Sequence, residues 1–211
     1  MESNKYWDEI HSKFANNEIE YDDWLKEYND ILISCNSTIL DLGCGLGNNT
    51  LYLKERGLDV ISLDFSQVAL DKIKEEIPNS KTMLFDISKP LPFDDFEFEI
   101  IIADLSLHYF NKEVTIKIMQ EIKRILKPGG HLIARVNSIK DTNYGAGTGE
   151  EIEEHYYKIN DSYKRFFSLI DVIKYFSYVG DVKVYPSLIT RYSLPKEVYE
   201  VIVEKEDPII M

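Results

Sequence analysis

The chain has 211 residues, 44% of them hydrophobic and 29% charged, and this balance predicts a single packed domain rather than a disordered chain. Acidic residues outnumber basic ones by 37 to 24, and a net charge of −13 without a basic stripe favours a small-molecule substrate over nucleic acid. The lack of an apolar run of about 20 residues, of a signal-peptide layout and of more than two cysteines predicts a cytoplasmic protein without a membrane span or a disulfide framework.

Residues 1–36 are predicted to form a helical cap. The stretch is acidic and rich in aromatic residues, namely Tyr6, Trp7, Phe14, Tyr21, Trp24 and Tyr28. These rings either cover a bound ligand or form the core of the cap, and the sequence leaves both interpretations open. It also leaves the oligomeric state open.

Residues 37–137 alternate short apolar runs with amphipathic ones, which is the pattern of a parallel sheet covered by helices. Strands are predicted at residues 38–42, 60–63, 82–85, 98–103 and 131–136. Helices are predicted at residues 46–56, at 67–76 after a Ser66 cap, and from an Asn111 cap to the turn at Pro128.

Residues 138–211 are predicted to hold a substrate-side loop, a helix at 168–179 and two strands at 182–192 and 198–204. The strands join around Pro195, and so short a connection predicts an antiparallel hairpin. With the five preceding strands, this gives an α/β fold: a Rossmann-like three-layer sandwich with a seven-stranded, mostly parallel sheet. A dehydrogenase domain would more often end in a sixth parallel strand.

The clearest motif is Asp41-Leu42-Gly43-Cys44-Gly45-Leu46-Gly47, in which a strand runs into a glycine-rich turn and then a helix. Its spacing is Gly-x-Gly-x-Gly, whereas the dinucleotide fingerprint is Gly-x-Gly-x-x-Gly. Asp41 would repel a pyrophosphate and favour a cationic ligand, such as one with an ammonium and a sulfonium group. A nicotinamide-dependent oxidoreductase is therefore the less favoured alternative.

This motif resembles the first motif of the Rossmann-like (class I) S-adenosylmethionine-dependent methyltransferases, and later landmarks extend the resemblance over residues 38–136. It implies S-adenosylmethionine as cofactor and S-adenosylhomocysteine as product, with Asp64 on the ribose hydroxyls, Phe65 beside the adenine and Asp86 near its amino group. The implied cofactor-binding residues are Asp41, Gly43, Cys44, Gly45, Asn49, Asp64, Phe65, Asp86, Ile87, Ala103 and Leu105.

The layout, including Tyr6-Trp7-Asp8, is also similar to the small bacterial branch that contains tellurite-resistance-type methyltransferases. Two local alternatives stay open for the implied acids. Asp64 either contacts the ribose or caps the following helix, and Asp86 either contacts the adenine or simply forms a turn. A non-catalytic protein that binds the cofactor also stays open.

The expected reaction is in-line methyl transfer to a small-molecule acceptor, in which a neutral nucleophile would need a general base. The candidates for that base are His108, Asp104 and Tyr109, although His108 equally suits a helix cap. The candidate substrate contacts are Arg135, Asn137 and Tyr144.

The segment at residues 141–151 is glycine-rich and lies past the fifth predicted strand. It is either an active-site lid or an ordinary surface loop, and Thr148 with Glu151 predicts a capping box that opens a short helix. The four histidines lack metal-ligand spacing, so no metal is expected. His11 and His155 are expected at the surface, and His131 is expected to be structural.

Overall fold

A computed structural model of the chain describes residues 4–206. In chain order, its strands are β1 (Ile39–Leu42), β2 (Val60–Asp64), β3 (Lys81–Leu84), β4 (Phe98–Asp104), β5 (Leu126–Asn137), β6 (Glu150–Glu153), β7 (Tyr156–Ile159), β8 (Ser162–Arg165), β9 (Asp181–Ile189) and β10 (Lys196–Glu204). Its α-helices are α1 (Asn4–Ser12), α2 (Asn29–Ser34), α3 (Asn48–Glu55), α4 (Gln67–Glu76), α5 (Lys112–Ile125) and α6 (Leu169–Phe176). Short 3-10 helices span Asp23–Tyr28, Leu107–Tyr109 and Thr142–Tyr144.

Seven strands form the central sheet, in the order β3-β2-β1-β4-β5-β10-β9. The first five strands pair in parallel, and β10 is antiparallel to both β5 and β9. The Rossmann-like sandwich with its C-terminal antiparallel hairpin is therefore confirmed. Every residue of β1 is buried, as expected for a central strand whose two faces are both covered by helices.

Two predicted helix caps are confirmed by hydrogen bonds at the helix starts. The Ser66 hydroxyl accepts a hydrogen bond from the Ala69 N–H at 3.2 Å, and the Asn111 side chain accepts one from the Val114 N–H at 2.9 Å. Each cap satisfies a backbone donor that the first turn of a helix leaves unpaired. Within residues 4–206, no helix combines the length and apolar composition needed to cross a membrane.

Hydrophobic cores cover both faces of the sheet. On one face, Ile118, Met119 and Ile122 of α5 pack with Ile101 of β4 and Leu132 of β5. On the other face, the following residues of the N-terminal cap and the adjoining strands pack together: Trp24, Leu25, Tyr28, Leu32, Ile39, Val60 and Ile100. Trp24 and Tyr28 are thus core residues of the cap, which settles one alternative for these two aromatic side chains.

A second sheet, in the order β6-β7-β8, is antiparallel and was not predicted from the sequence. The expected helix after Thr148 is wrong, because Glu150–Glu153 forms β6 and pairs with β7. The Thr148 hydroxyl instead donates to the Gly145 carbonyl at 2.8 Å. Pairing with the tyrosine-rich strand β7 satisfies the backbone across several residues, whereas a capping box satisfies only a first turn.

Candidate active site

A cleft of about 790 Å³, counted with the open space at its mouth, lies at the carboxyl ends of β1, β2 and β4. Ligands of open α/β sheets bind at this edge. The cleft is lined by Trp7, His11, Gly43, Asp64, Phe65, Asp86, Ile87, Leu105, Ser106, Tyr109 and Phe110. Gly43, Asp64, Phe65, Asp86, Ile87 and Leu105 belong to the cofactor-binding set implied by the sequence, and the structure brings these six together. The lining does not include the other five members of that set, Asp41, Cys44, Gly45, Asn49 and Ala103.

The glycine turn passes through a gap too narrow for a side chain. Gly43 has a φ of +75°, and a Cβ atom there would stand 2.4 Å from the Cβ of Ser106. The Gly43 and Cys44 N–H groups both donate to the Leu63 carbonyl, at 2.7 and 3.0 Å. The turn is therefore held between β2 and the loop after β4, and its backbone faces the cleft directly.

Asp64 is buried at the end of β2, and its carboxylate is fixed from both sides. One oxygen accepts from the Gly45 N–H at 2.8 Å, and the other accepts from the Ser66 N–H at 2.9 Å. Each carboxylate oxygen can accept more than one hydrogen bond, so acceptor capacity remains for hydroxyl groups of a ligand. Ser66, rather than Asp64, supplies the side-chain cap of α4.

Asp41 is a fully buried carboxylate with incomplete compensation. One oxygen accepts from the Thr50 hydroxyl at 2.7 Å, while the other has no hydrogen-bond partner among the described residues. Burial raises the pKa of Asp41 to about 7, against the lowering effect of the Thr50 hydrogen bond, and the charges of Asp104 and Asp64 raise it further. The glycine turn therefore sits beside a carboxyl group that is only partly ionised near pH 7 and whose ionised form a cationic ligand would stabilise.

Asp104 differs because Arg135 neutralises it. The two side chains form a forked pair, with Nε to Oδ1 and Nη2 to Oδ2 distances of 2.7 Å each. Burial alone would raise the pKa of Asp104, but the charge of Arg135 and its hydrogen bonds hold it below its usual range. Arg135 also binds Asp22 at 2.8 Å and lies over the Trp24 ring, 4.4 Å from its centroid.

This ion-pair network corrects two expectations from the sequence. Arg135 is 1% exposed and directs each of its side-chain nitrogens at a carboxylate, so here it is an internal ion-pair partner rather than a substrate contact. Asp104 is engaged by that arginine, which makes it a poor proton acceptor. Neither side chain lines the cleft.

Of the three candidate bases, Tyr109 lines the cleft. His108 is buried behind it, and its Nδ1 atom has no partner among the described residues. Burial lowers the pKa of His108 well below its usual value, and the charges of Lys196 and Lys164 act in the same direction. The ring is therefore neutral at pH 7. Asn137 is likewise buried and outside the cleft lining.

The segment at residues 141–151 is tied to the connection between β9 and β10. The Tyr144 hydroxyl donates to the Leu194 carbonyl at 2.9 Å, and the buried Asp141 carboxylate pairs with Lys196 at 2.8 Å. None of the described residues of this segment lines the cleft. The segment was predicted to be a lid and Tyr144 a substrate contact. Neither prediction is supported by a contact with the cleft.

Helix α1 covers the cleft instead. Asp8 accepts hydrogen bonds from the Ser66 hydroxyl at 2.6 Å and the Val68 N–H at 3.2 Å, which fixes α1 to the start of α4. Trp7 meets Tyr109 edge to face, with 4.7 Å between ring centroids. The expectation that His11 is a surface residue is wrong, because it lines the cleft. The i, i+4 spacing of Trp7 and His11 puts both on one helix face, a signal present in the sequence.

In a comparison with protein-family models, residues 40–134 match the family described as a methyltransferase domain. Residues 40–134, a little under half of the chain, are thus similar to a methyltransferase domain, and they lie in a Rossmann-like fold. An uncharacterized methyltransferase of Synechocystis is 33% identical over 115 residues, which cover 54% of this chain and 53% of that protein. The chain thus spans about half the length of this curated relative.

Solved structures agree with the methyltransferase domain in fold. An S-adenosylmethionine-dependent methyltransferase of Methanosarcina mazei superimposes with a TM-score of 0.72 at 19% identity, over 85% of this chain and 97% of that one. A Burkholderia thailandensis 1,6-didemethyltoxoflavin-N1-methyltransferase, solved with bound 1,6-didemethyltoxoflavin and S-adenosylhomocysteine, superimposes with a TM-score of 0.64 at 16% identity, over 98% of this chain and 92% of that one. The superfamily resemblance is confirmed, while assignment to the tellurite-resistance branch stays a prediction.

Proposed function

We propose that the chain is an S-adenosylmethionine-dependent methyltransferase that transfers the methyl group in line to a small-molecule acceptor. The observation that carries the proposal is the uncompensated Asp41 carboxylate beside the glycine turn, with Asp64 facing the cleft. None of the described residues that line the cleft is lysine or arginine. Such a site favours a ligand that brings positive charge and disfavours a pyrophosphate.

The side chains around the cleft suit the parts of this cofactor. Asp64 can accept hydrogen bonds from the ribose hydroxyls, and Phe65 and Ile87 offer apolar surface to the adenine, with Asp86 near its amino group. The amino-acid end then lies toward Leu105 and the turn. When bound, the cofactor supplies a methyl group already activated by the sulfonium, so the protein mainly has to position the acceptor.

Among the candidate bases, Tyr109 is the one we place against the acceptor, because it faces the cleft and packs against Trp7. His108 and Asp104 do not line the cleft, so we assign neither of them the role of base. The net charge of −13, and the lack of lysine and arginine among the described residues that line the cleft, support a small-molecule acceptor rather than nucleic acid.

Calorimetry with S-adenosylhomocysteine tests the proposal. The wild-type protein should bind it, and Asp64→Ala should weaken binding roughly ten- to hundredfold, because hydrogen bonds to a charged group contribute about 1.5–3 kcal/mol. Asp71→Ala is the matched control, since Asp71 is an exposed carboxylate on α4 whose side chain is 63% exposed. This control should leave the affinity unchanged.

Two results would contradict the proposal: no heat with S-adenosylhomocysteine, or tighter binding of NAD than of S-adenosylhomocysteine. Catalysis is then tested by mass spectrometry of a panel of oxygen, nitrogen and sulfur acceptors incubated with S-adenosylmethionine. Binding without any methylated product would indicate a non-catalytic cofactor-binding protein.

A further inference from the structure

His11 brings an ionisable ring into the cleft from helix α1. Its Nε2 atom lies 3.8 Å from the position that a Cβ atom on Gly45 would take, so the ring stands over the glycine turn. Its Nδ1 atom is buried and has no hydrogen-bond partner among the described residues. Because Nδ1 is sealed from solvent and pairs with no described residue, Nε2 is the ring atom that stands toward the turn and that a ligand group would meet.

The other polar side chains that line the cleft do not supply a positive charge. Asp64 and Asp86 are acceptors, and the Ser106 hydroxyl already donates to the Leu42 carbonyl at 2.7 Å. Among the described residues of the lining, His11 is the side chain that can become a cation near neutral pH. A carboxylate entering this cleft would find its side-chain counter-charge there.

The surroundings of His11 keep it neutral until such a partner is present. Burial lowers its pKa, and the charged groups that face it, Asp64 from β2 and Asp8 from its own helix, oppose that effect without overcoming it. On α4, Lys72 is turned away, because it binds the carbonyls of Ala15 and Asn17. An added carboxylate would favour the protonated ring and a charge-assisted hydrogen bond.

We propose that His11 binds the carboxylate at the amino-acid end of the cofactor. This inference rests on the proposed function and adds to it a contact from outside the matched methyltransferase domain. The polarity of the site supports it: the ammonium group is drawn toward Asp41, while the carboxylate is drawn toward His11 and the start of α3. That helix begins at Asn48 with no side-chain cap, so its first N–H groups favour an anion.

Helix α1 fixes His11 in this place through the residues on either side of it. Asp8 holds the helix to Ser66 and Val68, and Trp7 packs against Tyr109. No described residue of α1 is fully buried, so these contacts, rather than core packing, decide where the ring stands. A ligand that lacks the amino-acid end should therefore gain nothing from His11.

The test compares two ligands that differ by that end, S-adenosylhomocysteine and 5′-methylthioadenosine, by calorimetry. In His11→Ala, affinity for S-adenosylhomocysteine should fall roughly ten- to hundredfold, as expected for loss of a charge-assisted hydrogen bond, while affinity for 5′-methylthioadenosine changes less than about threefold. His11→Gln keeps a neutral donor and should give an intermediate loss. His131→Gln is the control, because His131 is half-buried beside Glu204 at the opposite edge of the sheet.

The inference is overturned if His11→Ala weakens both ligands by the same factor, if it weakens neither, or if the wild type binds both equally well. Should His11→Ala fail to fold, His11→Gln carries the same comparison of the two ligands. These outcomes are distinct from failure of the proposed function, in which the wild-type protein would not bind S-adenosylhomocysteine at all.

Discussion

The two buried carboxylates at the carboxyl edge of the sheet, Asp104 on β4 and Asp41 on β1, have opposite surroundings. At the end of β4, Asp104 forms a forked ion pair with Arg135, and Nη2 of Arg191 lies 3.6 Å from Oδ2 of Asp104. On β1, Asp41 has a hydroxyl from Thr50 and no positive partner within the described residues. Burial is similar at both positions, so the difference comes from the partner, and it assigns the β4–β5 half to structure and the β1–β2 half to a ligand.

The paired half also joins the N-terminal cap to the sheet. Arg135 on β5 bridges Asp104 on β4 and Asp22, which lies 113 positions earlier in the chain, and it stacks over Trp24. The ion pair therefore positions the cap against the carboxyl edge of the sheet. In the unpaired half, hydrogen bonds rather than a buried ion pair join the cap to the rest of the domain: the Ser66 hydroxyl donates to Asp8, and the Trp24 ring N–H donates to the Asn49 side chain.

Removal of Arg135, the cation at the centre of the paired half, should have the largest effect on the free energy of unfolding. Arg135→Met should lower the free energy of unfolding by about 3–5 kcal/mol, because it leaves Asp104 and Asp22 buried or half-buried without their partner. Denaturant unfolding measures this directly. Arg135→Lys keeps the charge and loses the fork, so its loss should be smaller. A cost below about 1 kcal/mol for Arg135→Met would remove the structural role that we give to this half.

In the unpaired half, the ionisation of Asp41 should make the stability of the protein depend on pH. The pKa of Asp41 in the native protein is about 7, above that of a carboxyl group in the unfolded chain, so the native state keeps a proton that the unfolded state has released. Stability from this group is thus lost as pH rises from the usual carboxyl range to about 7, by up to about 1.4 kcal/mol per pH unit. Above pH 7 the loss levels off.

Asp41→Asn should remove that slope, because the amide cannot ionise and its oxygen can still accept from the Thr50 hydroxyl. The variant should therefore gain stability relative to wild type as pH rises from 5 to 7, in parallel series of urea unfolding curves. It should also bind S-adenosylhomocysteine more weakly at pH 8, since the charge that attracts the ammonium is gone. Equal slopes for the two proteins would mean that Asp41 is compensated after all.

The unpaired half is the part that the sequence predicted well. Parallel strands end at one edge of a sheet, so a strand pattern that stops at Asp41 and Asp64 already brings their carboxylates near the glycine turn. The alternation of strands and helices is a local pattern with a definite period, and the mostly parallel sheet follows from it. That is why six implied cofactor residues line one cleft.

The parts that the sequence did not predict depend on contacts between distant segments. The partners Arg135 and Asp22 share no local pattern, and His11 enters the cleft because Asp8 binds Ser66, 58 positions away. The sheet of β6–β8 was missed for another reason: Thr148 and Glu151 fit a helix-start signature. The sequence signal of this sheet is the tyrosine-rich stretch on both sides of Asn160, a turn residue with a φ of +53°.

The smallest effect on the free energy of unfolding is expected for an ion pair between a carboxylate and a lysine at the opposite end of the strands. Asp59, just before β2, accepts from Lys81 at 2.6 Å and from the Thr38 hydroxyl at 2.8 Å, and the Lys81 hydrogen bond lowers the pKa of Asp59. Both ionic side chains are about half exposed, so water already compensates their charges. Lys81→Met should therefore change the free energy of unfolding by less than about 1 kcal/mol, and less still in high salt. If it cost as much as Arg135→Met, charge pairing would matter equally everywhere in this protein, and the contrast between the two halves of the sheet edge would lose its meaning.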